Sequence, residues 1–407
     1  MLIRLLPIIR KKSPSEARCR QLAQQCVELG ILLLLVLSEV FSSNIQSTLP
    51  AFSRAARLVL TGGGALLLLL KCIFLTNYER RWQWVVLLAV LCYTGFATAY
   101  GGDEWFVLAA LAGLAAKDTD LRRLLRVYLA AAVAGLVLVQ LLHLFTPLVP
   151  FKFYCRNWDF GYGHYNGYGA RLIGVFFAWA WLRWPKLRWF DWCGLAALAL
   201  YTLLVPICRG AGGTMILLLM LFAGQKVLPR FFETRVYHTL VLAIYPVITG
   251  FSIWAGWRFD PLNSELTPLL SKINRTLSGR FEIWHNIFWQ HPVTLLGGLS
   301  TDGDEHSAID NMYLALPMNK GVLGAVLVAA VFLLLIWRLA KGHHTGELLC
   351  MTAMMAYLFM ENKPFLLSAN PLILLLPCVF FAVTNKPLPV LCPRIDPKAD
   401  IPVSTVP

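Results

Sequence analysis

The sequence predicts an all-α integral membrane protein with about twelve transmembrane helices and a large outer loop carrying a short amphipathic helix. Three observations lead there. Charged residues make up 14% of the chain and hydrophobic ones 58%, whereas a soluble domain is about a quarter charged, so lipid is the fitting solvent. Apolar runs able to cross a hydrocarbon layer of roughly 30 Å recur along the whole length. The basic residues lie in short stretches between those runs, so the net charge of +14 reports topology and gives no footprint for nucleic acid.

In chain order the runs fall near 24–43, 58–76, 83–101, 104–117, 124–146, 168–183, 192–208, 213–228, 237–257, 321–338, 346–361 and 371–385. Arg4, Arg10, Lys11, Lys12, Arg18 and Arg20 precede the first; it has no small-residue cleavage site and reads as an uncleaved span. Residues 1–12 form either an inner-leaflet segment or an irregular tail. Gly62, Gly63 and Gly64 suit close helix approach in the second run. The run at 104–117 is short, and fits a tilted, re-entrant or locally buried helix. Trp82, Trp84, Trp184 and Trp189 read as interface anchors. Most of the ten cysteines sit inside apolar runs, where a thiol behaves as a small hydrophobe, and none has metal-type spacing.

Counting Lys and Arg sets the orientation. With the N-terminus inside, the inner segments hold 23 and the outer segments and helix ends 12, with Lys71 in a span; both termini are then cytoplasmic. The chain is one polytopic unit, 1–407, with two long outer segments: a Tyr/Gly-rich loop at 147–170 and a larger loop at 258–310. Long ordered loops usually carry function. Phe281, Trp284, Ile287 and Phe288 recur at helical spacing within the larger one, which predicts an amphipathic helix lying on the outer membrane surface.

The residues that bear chemistry cluster outside. Arg209 stands in Cys208-Arg209-Gly210-Ala211-Gly212-Gly213-Thr214, where one span ends and the next helix begins. Glycines and a helix N-terminus there favour an anion. Arg280, in Ser278-Gly279-Arg280, opens the amphipathic helix. A guanidinium at headgroup level can grip phosphate oxygens bidentately, or simply snorkel to lipid phosphates. Near the end of the long loop, Asp302 to Ser307 lead into Asp310-Asn311-Met312-Tyr313-Leu314. Here His306 and Asp310 are candidate proton acceptors; the bland reading is an acidic turn with an Asp/Asn helix cap. His164 and Asn166, flanked by Tyr162, Tyr165 and Tyr168, line a sugar site or belong to an aromatic belt. Glu361, Asn362 and Lys363 end the eleventh run and can join the same cavity. Glu39 and Lys71 are ionisable residues in or near spans; they are either functional or close enough to span ends to reach headgroups.

The order of these parts resembles the membrane O-antigen ligase and Wzy-type polysaccharide polymerase superfamily. The resemblance rests on Arg209-Gly210, Ser278-Gly279-Arg280, Trp284, Pro292, Gly297-Gly298, Asn311-Met312-Tyr313-Leu314 and Gly321 with Gly324, with Gly163-His164-Tyr165-Asn166 before them. It implies glycan transfer from an undecaprenyl-diphosphate-linked oligosaccharide, with no cofactor or metal and with no nucleic acid as partner. Membrane lipid, a flippase and a chain-length regulator are the partners it implies. By the same resemblance, Arg209 and Arg280 bind the diphosphate. His306 and Asp310 are the catalytic candidates, and His164, Asn166, Trp284 and Asn311 contact substrate. Ligases commonly carry a histidine beside the asparagine; here Asp310 fills that place and His306 lies five residues earlier, which tilts the resemblance toward a polymerase. A ligase acting on lipid A core or protein and a lipid-linked sugar flippase are the rival expectations. Polar residues crowded on one face speak against transport.

Overall fold

A computed structural model of the chain describes residues 16–154, 157–262, 268–290, 292–297 and 309–381. Residues 1–12, the stretch Asp302–Ser307 with His306, and Gly298 lie outside the described residues. The fold is all-α apart from a two-residue antiparallel pairing of Phe153–Tyr154 with Asn157–Trp158.

Seven helices among the described residues are long and apolar enough to cross a membrane. These are α1 (Glu16–Val36, widened into a π-type turn at Leu37–Phe41), α2 (Pro50–Leu70, continued by a similar turn Lys71–Leu75), α3 (Arg81–Gly101), α5 (Leu121–Phe145), α8 (Arg209–Val227), α9 (Arg235–Arg258) and α13 (Gly321–Lys341). Between them run α4 (Glu104–Ala115), α6 (Tyr165–Arg183), α7 (Trp189–Leu204), α10 (Pro268–Thr276), α11 (Arg280–Gln290) and α12 (Met312–Asn319); α14 (Thr345–Met360), a 3-10 turn at Pro371–Leu375 and a single helical turn at Pro377–Phe380 follow α13.

Burial explains the division. Helices α2, α3, α5 and α9 turn apolar side chains such as Leu58, Val85, Phe96, Val137 and Val247 outward, as helices in contact with hydrocarbon do. Helices α4, α6 and α14 are buried along most of their length, so their apolar residues are solvated by protein. The short run at 104–117 is therefore a buried helix. Of the three glycines in α2, Gly64 faces α1 at Leu34 and the Gly30 carbonyl, and Gly62 has open space beside it.

Several placements differ from the sequence expectation. Glu39 and Lys71 are fully buried, their side chains held inside the protein. Glu39 lies 3.5 Å from Arg171 of α6, and Lys71 Nζ donates to the Lys117 carbonyl. Trp184 is no interface anchor: it is buried and stacked on Phe222. The apolar stripe of α11 does not face lipid. Phe281, Trp284 and Ile287 are buried in a second core with Ala255, Phe259 and Leu314, joined by Phe251 and Phe359, so the stripe's partner is protein.

Candidate functional site

One end of the bundle, where α1, α3 and α14 finish and α4, α6 and α13 begin, holds a half-open cavity of about 760 Å³ with polar and apolar side chains in its wall. Its wall is drawn from the segments that the charge count groups together on the outer side: Ser42, Asp103, His164, Asn166, Asp310, Lys320, Glu361 and Lys363 all line it.

The Tyr/Gly-rich loop is pinned by Asp159, a buried residue that the sequence did not single out. Its Oδ2 accepts from Asn44 Nδ2 at 2.7 Å, and its Oδ1 accepts from the backbone of Lys152 and Gly161 at 2.8 and 3.0 Å. That bracing delivers His164 to the start of α6, where its Nδ1 accepts from Asn166 N at 3.0 Å and caps the helix. Burial pushes the imidazole below its ordinary pKa; Lys363 and Arg280 push the same way, and Asp310 and Asp159 oppose them. The ring is thus neutral near pH 7. With Nδ1 accepting, the ring proton resides on Nε2.

The Ser278-Gly279-Arg280 motif is a turn between α10 and α11. Ser278 and Gly279 both take positive φ, 58° and 81°, a region that glycine enters without steric cost. Gly279 N donates to the Asn274 carbonyl at 2.9 Å, and Asn274 Oδ1 accepts from Phe281 N at 2.8 Å. The turn aims Arg280 at the end of α14. Its Nη2 donates to the Met360 carbonyl at 3.0 Å and to Glu361 Oε1 at 3.4 Å, and lies 3.6 Å from Asp310 Oδ2. One guanidinium therefore serves two carboxylates: Glu361, whose side chain is 5% exposed, and Asp310, 40% exposed. Asp310 is the one free to swing toward a ligand. Of the Asp/Asn pair, Asn311 is the cap of α12, its Oδ1 accepting from Tyr313 N at 2.8 Å, and Asp310 is not.

Arg209 is exposed at the first position of α8. It stands at the same end of the bundle as Arg280, since a side chain on Gly210 would meet Met360 and Glu361 at 3.1 and 3.8 Å. Its guanidinium makes no ion pair among the described residues and does not line the cavity. Two expected substrate contacts are also elsewhere. Trp284 is 1% exposed inside the second core. Asn311 is fully buried, its Nδ2 donating to Ser252 Oγ at 2.9 Å. Both build the loop that carries Arg280 and Asp310, and neither faces the cavity.

The motif glycines have packing roles. Gly297 and Gly321 take positive φ, 84° and 72°, and a Cβ on Gly321 would strike the Leu295 carbonyl and the Gly297 nitrogen. The two strands of chain close through Val322 N to Thr294 O at 3.0 Å and Leu323 N to Leu295 O at 3.1 Å. Gly324 clears Tyr93 of α3, which a Cβ would approach to 2.7 Å.

The cavity floor holds a cation that the sequence left among the helix ends. Arg171 donates to the carbonyls of Gly167 and Ser38 at 2.7 and 2.8 Å, pairs with Glu39, and lies 4.2 Å from the Tyr162 ring centroid. Lys320 and Asp103 form a further pair on the wall of the cavity, at 3.5 Å. Among the described residues no group of three or more His, Cys, Asp or Glu is placed to hold a metal. The arrangement is a polar chamber with cations set against half-exposed carboxylates and a neutral imidazole, suited to an anionic ligand bearing hydroxyls.

Comparison with known proteins gives no match for the chain among family models, curated proteins or solved structures.

Proposed function

We propose that this protein is a membrane glycosyltransferase that polymerises undecaprenyl-diphosphate-linked oligosaccharide units, with its cavity opening outside the cytoplasmic membrane and both termini inside. Taking the four shorter apolar helices and the buried α6 as further crossings brings the seven spans to about twelve. The observation that carries the proposal is the convergence of Asp310, His164, Asn166, Glu361 and Lys363 around one chamber, with Arg280 set behind its wall against Asp310 and Glu361, from segments far apart in the chain.

In the proposed reaction the terminal hydroxyl oxygen of one lipid-linked unit attacks the anomeric carbon of the glycan on another. The bond from that carbon to the diphosphate breaks, and undecaprenyl diphosphate leaves with the bonding electrons. Arg280 offsets the charge developing on the departing phosphate oxygen. Asp310, loosely held at 3.6 Å, accepts the hydroxyl proton, with His306 the other candidate. His164 donates from Nε2 to a sugar or phosphate oxygen. Arg209, exposed at the same end of the bundle, draws the lipid diphosphate toward the chamber. The positions assigned to Trp284 and Asn311 support the loop and take no part in binding.

The test is Arg280→Ala in cells that make the polymer. Long glycan chains should vanish while the protein stays in the membrane, and Arg280→Lys should rescue poorly because the two-pronged donor is lost. Normal chain lengths in the Ala variant would remove Arg280 from the mechanism.

A further inference from the structure

Lys320 sits at the α12–α13 junction and is 3% exposed. Its ammonium makes no hydrogen bond among the described residues. It has instead an ion pair with Asp103 Oδ2 at 3.5 Å and a position 5.4 Å from the Phe106 ring centroid. The adjoining Asn319 Oδ1 is likewise buried without a hydrogen-bond partner among the described residues. Buried polar groups left so are costly unless something completes them. Asp103 is a loose companion: its side chain is 40% exposed, and its Oδ1 is engaged as the cap of α4, accepting from Trp105 N at 3.2 Å.

Directly below lies a second cavity of about 340 Å³, lined mainly by apolar side chains, with Tyr93, Thr94 and Asn370 the polar members. It runs between α3, α4, α13 and α14 and shares Pro364 and Phe365 with the polar chamber. Phe106 and Phe365, with ring centroids 4.5 Å apart, form the partition. Lys320 stands over that partition, and Leu327 on the groove's rim is 41% exposed toward the lipid-facing side of the bundle. An ammonium above an apolar groove matches an amphiphile with an anionic head and a hydrocarbon tail. The groove holds roughly a dozen methylene-sized groups, on a scale of about 30 Å³ for a water-sized unit. That is room for a stretch of one chain, not for the paired chains of a phospholipid.

We propose that Lys320, Asp103 and the groove beneath Phe106 form a seat for a single-chain isoprenoid phosphate or diphosphate, separate from Arg280. Asp103 pairs with the ammonium and yields to the phosphate. The site does not depend on glycan transfer; if that reading holds, this seat takes the second of the two lipid-linked units that polymerisation brings together.

The full chain in phosphatidylcholine nanodiscs is titrated with farnesyl diphosphate, and bound lipid is read by native mass spectrometry. Lys320→Met should weaken binding about tenfold or more, the worth of a charge-assisted contact. Asp103→Asn should tighten binding, because the competing carboxylate is gone while Asn still caps α4. Leu327→Trp, filling the groove, should weaken farnesyl diphosphate and leave inorganic diphosphate unchanged. Opposite signs for the Lys320 and Asp103 variants separate a ligand seat from a structural ion pair, and tightening cannot come from misfolding. Equal-sign or null effects overturn the proposal, as does equal competition by dioleoylphosphatidylglycerol. No acceptor glycan is present, so failure of transfer leaves this result standing, and failure here leaves transfer standing.

Discussion

Glu361 is 4% exposed, and the cation it meets is Arg280. Burial, with Asp310 nearby, pushes the Glu361 carboxyl well above the usual carboxylate range, and Arg280 and Lys363 oppose that push; replacing Arg280 with Ala removes one of the two, so the buried carboxyl must either carry a less-compensated charge or bind a proton. Breaking a buried pair by removing one partner costs about 3–5 kcal/mol. Here the N–O separation is 3.4 Å and the other carboxylate, Asp310, is half-exposed. Both place the cost at the low end, about 3 kcal/mol. Loss of the 3.0 Å bond to the Met360 carbonyl adds about 1 kcal/mol. The double variant Arg280→Ala/Glu361→Gln removes the stranded charge and should recover about 2 kcal/mol of the loss, while glycan extension stays absent in both. The assay is a double-mutant cycle on unfolding midpoints of the purified, detergent-solubilised protein. Recovery of stability without activity is the expected signature. A double variant no more stable than Arg280→Ala would show that Glu361 is not balanced by Arg280, and the reasoning fails.

The remaining predictions concern the cap, the loop core and the sidedness. Since burial depresses the His164 pKa, the folded state favours the neutral ring and the unfolded chain binds its proton first. The stabilisation from His164 is therefore complete above the ordinary imidazole value of about 6.5 and lost as pH falls below it. The stability gap between the parent and His164→Asn, which keeps a helix cap, should narrow on acidification; a gap independent of pH contradicts the assignment. Trp284→Ala should cost about 3–5 kcal/mol by opening the second core, whereas Trp284→Phe should retain glycan transfer. Transfer lost in a stably folded Phe variant would return Trp284 to the substrate. Ser300→Cys should react with a membrane-impermeant thiol reagent in intact cells or spheroplasts, above the parent's background. Labelling confined to lysed cells inverts the topology.

The parts of the fold that follow from local chemistry were legible. Apolar runs mark the helices because each helix satisfies its own backbone and needs only apolar side chains to meet lipid or core. Ser278-Gly279 reads as a break before Arg280 because glycine accepts the positive φ the turn requires. What the sequence concealed are partnerships between distant positions. Lys320 and Asp103, Arg171 and Glu39, and Asp159 and Asn44 meet through the tertiary fold, and no spacing rule links them. Amphipathicity also misled. The period of Phe281, Trp284 and Ile287 states that one face of α11 is buried, yet not whether lipid or protein buries it; Phe251, Phe259 and Phe359 supply the protein. Asn311 beside Asp310 shows the same ambiguity, since a capping residue and a catalytic one are both polar residues at a helix start, and only the hydrogen bonds assign the cap to Asn311.

The most direct test of the central claim uses the purified protein in liposomes supplied with one undecaprenyl-diphosphate-linked oligosaccharide. The account predicts a ladder of lipid-linked glycans growing by whole units, one undecaprenyl diphosphate released per step, and no ladder from Arg280→Ala. Glycans that keep their starting length with the parent protein, or an equal ladder from the Ala variant, would contradict it.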